Sequence, residues 1–141
     1  MATFNKFNQF VEDLAHKVHH LGTDALKYYL SNATPDAAAD AVKADLAEIS
    51  TGNGYTGPQS LTTSSSVETG GVYKLTLADP SVITASGTVG PFQYVVLYND
   101  APTSPADPLI GWWNYGSAIT LNTGETFTLD LDQANGVLTL T

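Results

Sequence analysis

The sequence contains no cysteine and no arginine. Without cysteine there is no disulfide, no thiolate metal ligand and no thiol nucleophile. Without arginine, cationic charge rests on five lysines, the last of them Lys74, against 14 acidic residues. The formal net charge is −9 and the pI about 4.3. Beyond Lys74 the only charged residues are Asp79, Asp100, Asp107, Glu125, Asp130 and Asp132. Binding duplex DNA takes several lysine or arginine contacts to phosphate, so the reading expects no nucleic-acid partner and no electrostatic docking on anionic membrane. No apolar run approaches the length of a membrane span. The opening Met1-Ala2-Thr3-Phe4-Asn5-Lys6 lacks the basic-then-apolar order of a secretory signal, so none is expected. Charged residues make up 13% of the chain, about half the usual share. Ser, Thr, Asn and Gly fill the difference, which suits a packed β protein or a part of an assembly.

What is present is one domain's worth of chain, 141 residues with 43% hydrophobic content. That length buries roughly two-thirds of the unfolded surface in a single core. Phe4, Phe7, Val11, Leu14, Val18 and Leu21 are spaced 3, 4, 3, 4 and 3, a heptad rhythm. The spacing predicts a helix over 3–21, capped by Thr3 and ended by Gly22. Such a helix either packs on its own domain or meets a partner. After Gly22 the period moves towards two. Predicted strands are 25–31, 59–67, 72–78, 81–86, 92–99, 109–115, 126–131 and 137–141, with turn signals between them. Residues 33–47, alanine-rich behind Pro35, read as a short helix or loop. The expected architecture is mainly β: an antiparallel β-sandwich or jelly roll over 23–141, preceded by an N-terminal helical arm over 1–22.

Residues able to carry chemistry are few. His16, His19 and His20 cluster near the predicted helix end, and Glu12, His16 and His20 would share one helical face. Helical i, i+4 pairs can bind zinc, but there is no HExxH. Exposed histidines near the negative end of a helix dipole are the plainer reading. Asp130 and Asp132 share a strand face, and Asp100 and Asp107 flank a loop; a solvated acidic face explains them more simply than paired catalytic or calcium-binding carboxylates. GxSxG is missing, and Gly87-Thr88-Val89-Gly90 is a turn rather than a phosphate loop. No catalytic residue, metal or cofactor is therefore expected. In Trp112-Trp113-Asn114-Tyr115 an extended chain puts the two indoles on opposite faces. One should be core, and the other an interface contact or a sugar-stacking platform.

The segments "AVKADLAEISTGNGYT", "GPFQYVVLYND" and "PLIGWWNYGSAITLNTGETFTL", with the upstream "LGTDALKYYLSN", resemble a group of small tailed-bacteriophage virion proteins. They cover a little over half of Leu21–Leu129. The resemblance implies a head decoration, or capsid cement, protein of sandwich or jelly-roll fold. It would be a homotrimer on the outer surface of the capsid, with the major capsid protein as partner and no enzymatic activity. A tail or fibre surface module, such as one that binds host glycans, is the alternative. The contact surface expected from either reading is the apolar face of Phe4, Phe7, Val11 and Leu14, or the strand carrying Trp112, Trp113 and Tyr115.

Overall fold

The computed structural model describes residues 2–141. In chain order it runs β1 (Phe4–Lys6), α1 (Asn8–Ala15), β2 (Leu26–Ser31), a single 3-10 turn at Lys43–Asp45, β3 (Gln59–Ser60), β4 (Thr62–Thr69) and β5 (Val72–Ala78). It continues with β6 (Ile83–Thr84), β7 (Val89–Asn99), β8 (Leu109–Leu121), β9 (Thr126–Phe127) and β10 (Leu138–Leu140). The protein is mainly β, and every strand pair is antiparallel. Five strands form one sheet in the order β1-β8-β7-β2-β3, and three form a second in the order β10-β5-β4; β6 and β9 pair separately. This arrangement is consistent with a β-sandwich.

Alternation in β2 builds two cores at once. Leu26, Tyr28 and Leu30 point into the main cluster, where they meet Leu75 and Leu77 of β5. Tyr29 points the other way, into a second cluster with Phe7, Leu46 and Tyr98. The five-stranded sheet is thus covered on both faces. The outer cover is partly the 33–47 segment: the Tyr29 hydroxyl donates to the Leu46 carbonyl at 2.9 Å, and Lys43 Nζ sits 4.8 Å from the Tyr29 ring centre. Strand β8 keeps this division through a bulge. Tyr98 pairs Leu109 while Leu97 pairs Gly111, so Ile110 is the extra residue. Leu109 and Ile110 then fall into opposite clusters, and so do Trp112 and Trp113.

The helix expected over 3–21 is confined to Asn8–Ala15. Phe4–Lys6 instead add an edge strand to β8, in register Phe4↔Trp113 to Lys6↔Gly111. Phe7, not Thr3, precedes the helix, in extended conformation and without a side-chain cap. At the far end Lys17 adopts φ 64°, and the Val18 amide reaches back to the Asp13 carbonyl at 2.9 Å. This is a left-handed helix stop of the kind glycine usually supplies, made here by a lysine five residues before the expected Gly22. Val18 and Leu21 therefore continue the heptad spacing in the sequence but not in a helix. The predicted strands at 25–31, 72–78, 92–99 and 109–115 match β2, β5, β7 and β8, the last two being longer than expected. The 126–131 strand is paired only at Thr126–Phe127.

Candidate functional site

One face of the structure carries a cleft of about 590 Å³. Its inner wall comes from the five-stranded sheet. Register places Phe4, Trp113 and Val95 in one row across β1, β8 and β7. The Phe4 and Trp113 rings meet at 4.9 Å, tilted by 56°. At the other end Phe92 and Phe127 pack edge to face, 5.2 Å apart. The opposite wall is the chain that leaves β9. Leu129 and Leu131 are buried while Thr128 and Asp130 are exposed, an alternation of period two that continues past the last ladder bond. Side chains rather than a ladder fix this wall. Asp79 Oδ1 accepts from the Leu131 amide at 2.7 Å, and Gln133 Nε2 donates to the Leu77 carbonyl at 2.7 Å.

Tyr115 reaches the mouth through a second irregularity. Between Tyr94↔Asn114 and Phe92↔Ile119, two steps on β7 correspond to five on β8. The surplus loops out, with Gly116 at φ 103° and its amide donating to Asn114 Oδ1 at 2.8 Å. Gln93 Nε2 donates to the same oxygen at 3.0 Å. Tyr115 is left 63% exposed.

Charge at the cleft comes from two carboxylates. Asp132 serves its own turn: Oδ1 accepts from the amides of Ala134 and Asn135, and Oδ2 from Asn135 Nδ2. These bonds, led by the Asn135 amide, hold its carboxyl below the usual range. Asp130 is exposed, and among the described residues no hydrogen bond or ion pair engages it. The cleft thus offers aromatic faces, aliphatic floor and one free carboxylate: a surface for burying apolar groups and receiving a cation.

The residues expected as a contact surface are distributed differently. Phe4, Trp113 and Tyr115 meet at the cleft. Phe7 is fully buried, against Trp112 at 4.6 Å on the opposite face of the sheet, and so has no surface to offer a partner in this fold. Trp112 and Trp113 are both half-buried, rather than one in the core and one free. Val11 is 52% exposed, and Leu14 packs partly against the main core. Sequence reasoning did not point to Phe92, Phe127 or Leu129 as cleft residues. Their alternation marks them as strand-like but cannot say that the strand facing them is missing.

The histidines are dispersed. Nδ1 of His16 lies 3.6 Å from Glu12 on the surface, as the i, i+4 spacing suggests. His20 is off the helix, its Nδ1 2.7 Å from the Thr23 hydroxyl. His19 is buried, 6% exposed, with its ring tilted against that of Phe10 at 5.1 Å. Asn99 Nδ2 donates to His19 Nδ1 at 3.1 Å and to Asp24 at 2.7 Å, while Asn99 Oδ1 accepts from the Ala101 amide. An amide nitrogen only donates, so His19 Nδ1 accepts and the neutral ring carries its proton on Nε2. Burial lowers the His19 pKa, and Asp13 and Asp24 oppose that shift. Nε2 and Asp13 Oδ2 are buried without partners. Among the described residues no three His, Asp or Glu side chains are grouped to hold a metal ion. Asp100 pairs with Lys27 at 2.8 Å, and Asp107 takes φ 51° in the loop before β8. In a scan of protein-family models no family matches this chain, and neither the curated proteins nor the solved structures contain a match.

Proposed function

We propose that this protein is a non-enzymatic virion structural protein, a capsid decoration or cement protein of sandwich or jelly-roll type. It binds the outer surface of a phage head where coat subunits meet, as a homotrimer. The observation that carries the reading joins the resemblance to the cleft. Gly90–Asp100 and Pro108–Leu129, two of the resembling segments, supply β7 and β8. They also bring Phe92, Trp113, Tyr115, Phe127 and Leu129 to the cleft. Two of the segments that resemble virion proteins thus supply the aromatic wall of the cleft, and Phe4 and the chain from Asp130 to Val137 complete it.

The mechanism is linkage. Packaged DNA presses outward, and a ligand that binds only the assembled lattice stabilises that lattice by an amount that grows with the logarithm of its free concentration relative to Kd. Three linked sites turn modest contacts into firm attachment. Assembly needs no such ligand, because the lattice must exist before it can be bound. The test is to delete the protein or strip it from virions, heat them, and measure released DNA. Undecorated heads should form normally and leak sooner. Heads that hold DNA equally well without it would end the cement reading.

A second reading has one observation in its favour. Trp113 and Tyr115 both line a groove, beside the Gln93 and Asn114 amides, as in a sugar-stacking platform on a tail or fibre module. Copy number in purified virions separates the two: hundreds for cement, dozens or fewer for a tail part. Loss of adsorption to cells, with heads still stable, would favour the second.

A further inference from the structure

We propose that the cleft is a docking groove for one extended segment of a partner protein, apolar at alternate positions and carrying a lysine or arginine that meets Asp130. The inference rests on the proposed function for the partner's identity, the coat lattice, and on the groove alone for its chemistry.

The first argument is backbone geometry. After Phe127 the chain runs on through Thr128, Leu129 and Asp130 outside any ladder, yet keeps the alternation of a strand. Its main-chain groups form an open edge beside an apolar trough. The facing wall is the sheet itself, where Phe4, Trp113 and Val95 lie in one row, so the 128–130 stretch is the unpaired extended segment that the groove offers. Free strand edges of this kind pair with incoming extended chains, where main-chain bonds give affinity and alternate pockets read the side chains. The Phe4–Trp113 pair and the Phe92–Phe127 pair supply such pockets at its two ends.

The second argument is charge. Among the described residues Asp130 and Asp132 are the only ionisable carboxylates lining the groove, no lysine or histidine lines it, and Asp132 is already engaged by its own turn. Asp130 remains free at the rim of a groove whose aromatic lining also attracts cations. A second copy of this chain would bring a net charge of −9 to a surface of the same sign, and anionic sugars or phosphates would be repelled likewise. A neutral sugar would find few hydrogen-bonding groups, since most of the lining is aromatic or aliphatic and the Gln93 amide is turned to Asn114. An apolar segment with a basic residue satisfies both the walls and the carboxylate.

The test uses the full-length protein, isotopically labelled, and two blocked peptides: acetyl-Gly-Val-Lys-Val-Lys-Val-Gly-amide and its glutamate counterpart. The lysine peptide should shift the backbone amides of Thr128, Leu129 and Asp130, and bind at least about tenfold more tightly than the glutamate peptide. Asp130→Lys, at an exposed and unbonded position, should leave the rest of the spectrum unchanged and reverse the order of the two peptides. Equal binding of both peptides, shifts confined to other surfaces, or displacement by a neutral chito-oligosaccharide would each overturn the proposal. So would concentration-dependent shifts at the same amides without peptide, which would make a second copy the occupant. Adding wild-type and Asp130→Lys protein to undecorated heads then separates the two readings. Reduced occupancy by the variant supports the groove as the coat contact, and equal occupancy overturns it. Failure of both proteins to attach, with the lysine peptide still bound, sinks the cement reading and leaves the groove chemistry standing.

Discussion

At Gly111 an added methyl group would collide with the Phe4 ring and the Asn5 carbonyl. Only a residue without a side chain lets β1 lie this close to β8 and brings Phe4 over the sheet beside Trp113. Gly111→Ala should therefore cost about 2 kcal/mol, the usual scale of overpacking, measured as a lower urea midpoint at unchanged slope. It should also disturb Phe4 resonances at the cleft before those of Phe7. His19 makes a prediction about pH. Burial holds its folded pKa below the ordinary histidine value of 6.5, so the unfolded chain takes up the proton first as pH falls. Stability is then complete above pH 6.5 and declines below it, towards the lower folded pKa. Asp45 and Asp132, whose pKa values are lowered by backbone amide donors led by those of Ala41 and Asn135, lose stability only around and below the usual carboxylate range. Urea midpoints taken from pH 7.5 to 5 should fall, and His19→Gln should flatten that fall. An unaltered slope in the variant would remove His19 as its source.

Helix α1 separates what spacing can and cannot show. Phe7, just ahead of it, and Val11, within it, both belong to the heptad pattern in the sequence, yet one is fully buried and the other 52% exposed. Phe7→Ala should cost about 3–5 kcal/mol; Val11→Ala should change stability by less than about 0.5 kcal/mol. Similar losses at both sites would mean that the helix packs as the heptad spacing suggests. The strands were far more legible. In β2 and β7 the β-branched and aromatic residues mark strands, and both strands prove buried on both faces. Local pattern failed where a tertiary partner competes with it. Phe4–Lys6 pair with β8 although their spacing suits a helix, and Lys17 ends α1 where no glycine marks the stop. The cleft was half legible. Trp113 and Tyr115 stand out as large aromatics on a predicted strand, whereas the far wall, Phe127 to Leu131, reads as an ordinary strand. Its missing neighbour is a property of the whole topology, and no local pattern records it.

Over the whole molecule the acidic excess dominates long-range behaviour. The protein should not retard duplex DNA in a gel even at about 50 mM salt, where phosphate-binding proteins hold tightly; retardation there would mean that the five lysines form a patch. Attachment to heads should weaken only in part as salt rises. Screening acts on exposed pairs such as one made by Asp130, while burial in the aromatic cleft is unaffected. The expected homotrimer is checked by sedimentation at micromolar concentration. A species that stays monomeric both in solution and on the virion contradicts it.

Trp112 and Trp113 are consecutive, yet the sheet lies between their rings, one against Phe7 and the other against Phe4. The chain thus holds its only two indoles as separate optical reporters on opposite sides of one wall. With Trp112→Phe, the remaining emission comes from the cleft side and responds to whatever enters it. With Trp113→Phe, it comes from the cluster beneath the 33–47 segment and is blind to the cleft. The same pair, followed during refolding, times the closure of the two cores independently within a single strand.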